Sequence, residues 1–437
     1  MRQPISKFLA FLCFTFMWSA THGQPVPACK EALKEEIRTQ MEGQIAQSLS
    51  SLQNLESLEG MASLAALARL ENLDLPSLAQ VDLALNMALN LQPDPGVTDV
   101  QGVPLAHTKV KKINRSFKVD RSDKLSVENQ FGRVEVQTWS KNEIAVEVTV
   151  ITRAISEAKA QEILDKINIR INEDRANNLL SFVTEREPMQ IRSSSEKAFE
   201  INYLVRMPKG NPLRVSNKYG TVQIPDFDGP TDLEVKYGVL TTGSLNNASN
   251  RVAVSYSGGE CRLSYVKAGD LLFKYSNLHL AAADDINTVT GYSNIVIDKV
   301  GLLTIASRYD SKFHIGSAGQ ISGTGSYSGI KIGSLRESAS LTMKYCSGFE
   351  INNVSSNFRK LELTGGYTGM AVSFADNSAF NFEVDTQYGN FKLDQDLANF
   401  SFKEVRNTSS TYKGKYGKAS PKATVNVTSR YGSIAFR

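Results

Sequence analysis

From about residue 208 onward, apolar and polar residues alternate in short bursts, and each burst ends on the same pair, an aromatic followed by a small residue. The pairs are Tyr219-Gly220, Tyr237-Gly238, Tyr256-Ser257, Tyr275-Ser276, Tyr292-Ser293, Tyr309-Asp310, Tyr327-Ser328, Tyr345-Cys346, Tyr367-Thr368 and Tyr388-Gly389. Tyr416-Gly417 and Tyr431-Gly432 follow after a gap, and Phe131-Gly132 stands apart upstream. From Tyr219 to Tyr388 the spacings are 18, 19, 19, 17, 17, 18, 18, 22 and 21 residues. A period near twenty is the mark of a solenoid.

The flanking residues specify its kind. Two and four positions before the aromatic stand apolar residues: Leu233 and Val235, Val252 and Val254, Leu271 and Phe273, Leu341 and Met343. This is strand alternation, and it places the tyrosine in phase with the core. Three and five positions after it come Val222 and Ile224, Leu278 and Leu280, Ile295 and Ile297, Ile330 and Ile332, and Phe391 and Leu393. The phase therefore slips by one. In a flat strand such a slip would turn the apolar set to solvent. If the chain turns a corner at the small residue, both strands face inward. Gly, Ser and Asp suit a corner because they tolerate positive φ or bond locally to the backbone.

The pattern predicts a mainly β chain, a parallel β-helix of short coils of about 17–22 residues, rising about 4.8 Å per turn and spanning roughly 43 Å over nine intervals. An all-β sandwich would also give short strands, but supplies no reason for a fixed tyrosine corner.

Upstream the pattern changes. Residues 108–207 predict a β-rich module with one helix over Ser156–Lys166, capped by Ser156, and strands at 168–173, 179–185 and 199–207. Residues 24–91 are Leu-rich, with Leu or Met at every third position from Leu49 to Leu73, and predict a short helical segment that could cap the solenoid. Pro93, Pro95 and Pro104 mark residues 92–107 as a linker. The repeats then fill residues 208–437.

Residues 1–23 read as a secretory signal: Arg2 and Lys7, an uncharged run from Phe8 to Trp18, and Thr21 and Gly23 before Gln24. A lipoprotein reading of "VPAC" is weakened by Pro27 and by its distance from the apolar run. No later segment predicts a transmembrane helix. The formal charge of +4 falls to +2 without Arg2 and Lys7, which is no footprint for nucleic acid. Cys29, Cys261 and Cys346 form no disulfide framework, and Cys261 and Cys346, about five coils apart, are too distant to pair.

The stretches "LSVENQFGRVEV", "LRVSNKYGTVQI" and "LEVKYGVLTTGSL" resemble the putative-adhesin, β-strand-repeat proteins of the bacterial envelope, Bacteroidetes-type, over roughly 110–437. The Leu-rich segment is similar to those preceding the repeats in such proteins. The resemblance implies a β-solenoid and an adhesin-like role, and it brings no catalytic residues to map.

Candidate chemistry is sparse. His107, His279 and His314 lack metal-ligand spacing, and His279, between Leu278 and Leu280, should face outward. Asp284, Asp285, Asp298 and Asp310 fall on neighbouring coils, as a polysaccharide lyase or hydrolase would need, yet sit where aspartate serves turns. "GTGSYSG" lacks the lysine and following helix of a phosphate loop, and "GGYTGMAV" lacks the aspartate of calcium-binding repeats. Tyrosine and Asn/Ser/Thr ladders can bind sugars but also stabilise a solenoid. The sequence thus assigns no catalytic, cofactor or metal residue. It points to an exported, non-enzymatic protein of the periplasm, outer-membrane surface or extracellular space, adhesin-like or structural; it identifies no partner, and cell-surface polysaccharide and an envelope protein are the candidates. The competing readings are a carbohydrate-active β-helix enzyme and a periplasmic scaffold.

Overall fold

The computed structural model describes residues 106–189, 198–393 and 395–437. The expected signal peptide, the Leu-rich segment 24–91, Cys29 and nearly all of the 92–107 linker lie outside them.

The described chain is a β-solenoid, not a sandwich, and its coils stack in parallel. Five central strands of 15 residues each, Glu260–Lys274, Asn277–Gly291, Asn294–Arg308, Lys312–Ser326 and Ile330–Lys344, run from one aromatic corner to the next. Each is bent. In Asn277–Gly291 the buried positions are Leu278, Leu280, Ala283, Ile286, Thr288 and Thr290, and the outward pairs Ala281-Ala282 and Asp284-Asp285 mark the bends. Two successive outward residues restore the inward phase after the chain changes direction. Register is strict, so that Leu278, Ile295, Phe313 and Ile330 lie over one another in the core. Like side chains thereby stack on like, and the core is a set of apolar columns parallel to the axis.

The corner departs from expectation in two ways. The residue with positive φ is the aromatic, not the small residue: Phe131 and the tyrosines at 219, 237, 256, 275, 292, 309, 327, 345, 367, 388 and 431 all lie at φ 50–63°. A left-handed residue points its side chain off the alternation, so the tyrosines face outward, although their phase had placed them with the core. Such a conformation costs roughly 1–2 kcal/mol in a residue with a Cβ. Two interactions offset it. Each ring stacks on its neighbours, and each aromatic N–H except that of the terminal Tyr388, which donates to the Thr408 carbonyl, donates to the carbonyl before the spatially next corner, as Tyr237 does to Ser255 at 3.0 Å and Tyr345 to Gly366 at 2.8 Å.

The second residue is small for reasons of space and hydrogen bonding. A Cβ on Gly220 would lie 1.7 Å from the Gly132 carbonyl oxygen, and one on Gly238 would lie 1.9 Å from that of Gly220. In the central coils the hydroxyl replaces this contact. Ser257 N–H donates to Ser276 Oγ (3.2 Å), Ser276 N–H to Ser293 Oγ (3.2 Å), and Cys346 N–H to Thr368 Oγ1 (3.0 Å). Those hydroxyls donate in turn two residues back, as Ser276 does to the Lys274 carbonyl at 2.8 Å.

The helix Glu157–Asp165 and strands Ile167–Asp174, Leu179–Arg186 and Phe199–Pro208 match the sequence reading, and Ser156 Oγ accepts from Lys159 N–H at 3.2 Å. Lys124–Gln130 pairs in parallel with Leu213–Lys218, which joins Phe131 to the corner column. The antiparallel strand His107–Lys118 lies at the sheet margin, and its exposed Lys111, Lys112 and Arg115 suit an edge that should not recruit another strand.

At the other end the chain breaks its own order. Ala423–Arg430 lies between Lys360–Gly366 and Phe380–Gln387, parallel to both, and Ile434–Phe436 likewise lies between Met370–Phe374 and Phe391–Lys392. The final coil is therefore inserted between two earlier ones. Tyr416, expected as a corner, is none. It ends the strand Ser409–Tyr416, antiparallel to Phe380–Gln387, and lies buried on Phe380 at 4.8 Å.

Candidate functional site

The corners build one continuous outer feature. Twelve rings stack in the order Phe131, Tyr219, Tyr237, Tyr256, Tyr275, Tyr292, Tyr309, Tyr327, Tyr345, Tyr367, Tyr431, Tyr388, with centroids 4.6–5.1 Å apart and planes within 18°. The spacing is that of the strands, which holds the rings parallel at a centroid separation within the range of stacked aromatic pairs. Several remain well exposed, from 37% for Tyr345 to 56% for Tyr388. Both faces of an interior ring are covered by its neighbours. The ladder therefore offers ring edges and hydroxyls, and stacking of a sugar on a ring face is closed along its length. Burial and the neighbouring tyrosines push the Tyr275 and Tyr367 phenols up.

Along the ladder runs a column of residues that immediately precede the aromatics. From the Tyr275 rung to the Tyr431 rung it reads, in spatial order, Lys274, Gly291, Arg308, Ser326, Lys344, Gly366, Arg430, as strand register requires. The four cations are exposed. Arg308 and Arg430 lie over the rings of Tyr309 and Tyr431, 5.2 and 5.4 Å from the centroids.

A second feature lies near the far bend, a groove of about 600 Å³ lined by residues that include Lys124, Asp232, Arg251, Asp270, Asp285 and Asn287. Two of its carboxylates are engaged. Asp232 bridges Arg214 (3.3 Å) and Arg251 (3.0 Å), and Asp270 accepts from Asn287 Nδ2 at 3.0 Å.

The candidate carboxylates do not converge. Asp285 reaches the groove, whereas Asp284 accepts from Tyr265 Oη at 2.6 Å, which raises the phenol to about 12. Asp298 faces His279 Nε2 at 2.9 Å on the outer surface, as the outward reading of His279 predicts. Asp310 is buried inside the corner, where it accepts from Thr290 Oγ1, from Ser307 Oγ at 2.6 Å and from Ser293 N–H at 2.8 Å. Burial pushes its carboxyl up, against these hydrogen bonds. Desolvation, with Lys312 and Lys331 nearby, holds His314 down. His107 is exposed at a strand end, and Cys261 and Cys346 are buried free thiols raised by desolvation. Among the described residues no group of three or more His, Cys, Asp or Glu could hold a metal ion. None of their helices is long and apolar enough to cross a membrane.

The aromatic edge and its basic column were missed as a site, because alternation placed the tyrosines inside. The lysine or arginine before Tyr275, Tyr309, Tyr345 and Tyr431, with Lys218 and Lys236 before Tyr219 and Tyr237, was the available signal.

No family model and no curated protein matches the chain. Among solved structures it is similar to a putative adhesin from Parabacteroides distasonis (10% identity, 75% of this chain and 97% of that one, TM-score 0.25). It is similar also to a putative cell adhesion protein from Clostridium sporogenes (10%, 75% and 99%, TM-score 0.18). A third is a putative lipid binding protein from Parabacteroides distasonis (11%, 75% and 96%, TM-score 0.23). At these values the likeness lends no weight to any assignment of function.

Proposed function

We propose that this chain is an exported envelope protein that binds without catalysis, adhesin-like, along the lateral edge of its solenoid. The observation that carries the reading is the aromatic edge itself, a row of exposed phenols on a scaffold whose corners are fixed by backbone and side-chain ladders together. Identical shallow contacts repeated on a rigid frame are individually weak and jointly strong. The candidate carboxylates, by contrast, are spread between a corner interior, a bend and an outer face. Protease shaving of intact native cells, with a periplasmic control, tests the reading. Cleavage of this chain while the control survives is expected; protection until the outer membrane is opened overturns surface attachment in favour of a periplasmic scaffold.

The groove holding Asp270 and Asp285 favours a second reading, a carbohydrate-active enzyme. Release of oligosaccharides from an envelope polysaccharide, abolished by Asp285→Ala in a protein that still folds, would establish it.

A further inference from the structure

The basic column beside the tyrosines is unlike the other charged column on the same sheet. Arg214, Asp232, Arg251 and Asp270 stand in register on successive coils and alternate in sign, with ion pairs of 3.3 and 3.0 Å. Such alternation is how a parallel ladder neutralises itself. The column Lys274, Gly291, Arg308, Ser326, Lys344, Gly366, Arg430 alternates cations with neutral residues instead. The next outward column, Leu272, Val289, Ala306, Thr324, Thr342, Thr364, Thr428, carries no carboxylate. Nor does the column beyond the ladder, where Asn277, Asn294 and Lys312 are followed by glycines and Ser433. From Tyr275 to Tyr431 the exposed edge thus carries no carboxylate, Asp310 being buried inside its corner on Thr290, Ser293 and Ser307, and it holds one cation on every second rung.

From this we infer that the edge is a binding strip for an extended acidic polysaccharide whose negative groups recur on every second sugar. Rungs near the middle are 4.9 Å apart, so Arg308 and Lys344 are two such steps from one another. A pyranose in an extended chain advances by about one ring length, comparable to one rung, and a charged disaccharide matches two. Phenol hydroxyls on the intervening rungs supply hydrogen bonds to sugar hydroxyls. A nucleic acid strand fits worse, because it presents about one charge every 3.4 Å. The inference rests on the binding reading above and names its ligand class.

The test measures binding of the full-length exported chain to hyaluronan, which carries one carboxylate per disaccharide, with dextran and single-stranded DNA as comparison probes. Three outcomes are expected. Hyaluronan binds and dextran does not; affinity climbs with oligosaccharide length across the first four disaccharides; and added salt weakens it. The variant Lys274→Gln/Arg308→Gln/Lys344→Gln/Arg430→Gln should lose at least about tenfold in affinity. Lys111→Gln/Lys112→Gln/Lys403→Gln/Lys415→Gln, four exposed cations elsewhere, should not. Circular dichroism on both variants separates lost binding from lost fold. Equal binding by the two variants, tighter binding to DNA than to hyaluronan, or no binding to hyaluronan each overturns the inference. If the purified protein still binds whole cells while hyaluronan fails, only the ligand class falls; if shaving shows the chain protected inside the cell, the surface reading falls on its own.

Discussion

The central coils and the C-terminal coils share one strand pattern and one corner, yet are assembled differently. Between Glu260 and Lys344 each coil is a single bent strand lying on its predecessor in sequence order. After Tyr367 the chain lays down a coil at 380–392, leaves it for the hairpin of Ala398–Val405 and Ser409–Tyr416, and returns to insert 423–436 one position back. In the first region every interface is local and stability should be nearly a sum over neighbours. In the second, two coils are held apart by a segment that arrives last, so their packing is conditional on it. A repeat pattern specifies that coils stack but leaves open which coil stacks on which.

Deleting 419–437 should expose this most strongly. It removes the buried Val425, Val427, Ile434 and Phe436 together with the strands on both sides of which earlier coils pair. Burial of such side chains contributes about 1.5–3 kcal/mol each, so a loss above about 5 kcal/mol is expected, with hydrogen exchange spreading through 349–416. By contrast, excision of one whole central coil, 277–293, leaves Asn294 in the register of Asn277 and should yield a shorter solenoid that still unfolds cooperatively. If both deletions have equal effect, the two regions are not differently built.

A second contrast separates glycine corners from serine corners. Gly220→Ala places a Cβ 1.7 Å from a backbone oxygen and should cost about 2–4 kcal/mol in urea denaturation. Ser276→Ala deprives the Ser257 N–H of its acceptor and should cost about 1–2 kcal/mol.

The charge inside the corner gives a pH dependence. Burial raises the Asp310 carboxyl in the folded state, so its contribution is fully present below the unfolded value and is lost as pH rises through the raised folded value. Asp310→Asn should therefore gain stability relative to wild type at neutral pH, with the difference closing in acid as wild type takes up its proton; thermal melts at several pH values would show it. An unchanged difference across pH would mean that the carboxyl titrates normally.

The smallest difference is between two substitutions of one ring. Tyr309→Ala loses two stacks, worth about 0.5–1.5 kcal/mol each, and keeps the left-handed backbone. Tyr309→Gly loses the same stacks but relieves the backbone, and should be the more stable of the two by about 1 kcal/mol. Equal stabilities would mean that the corner is unstrained.

The amino-acid sequence by itself determined the coil. Its period, its two inward strand phases and the slip between them follow from side-chain spacing, which is local and survives any tertiary arrangement. The helix at 157–165 and its Ser156 cap were legible for the same reason. Three things were decided only by the tertiary structure. The direction of the tyrosines depends on a backbone sign that alternation does not encode, and in space the left-handed residue is the aromatic because its ring has a neighbour to stack upon. The inclusion of Phe131 and the exclusion of Tyr416 depend on which strands they join, one parallel in the ladder and one antiparallel beside it. The order Tyr367, Tyr431, Tyr388 depends on a long-range insertion, since near-equivalent coils offer near-equivalent neighbours and only the packing of the whole end selects among them.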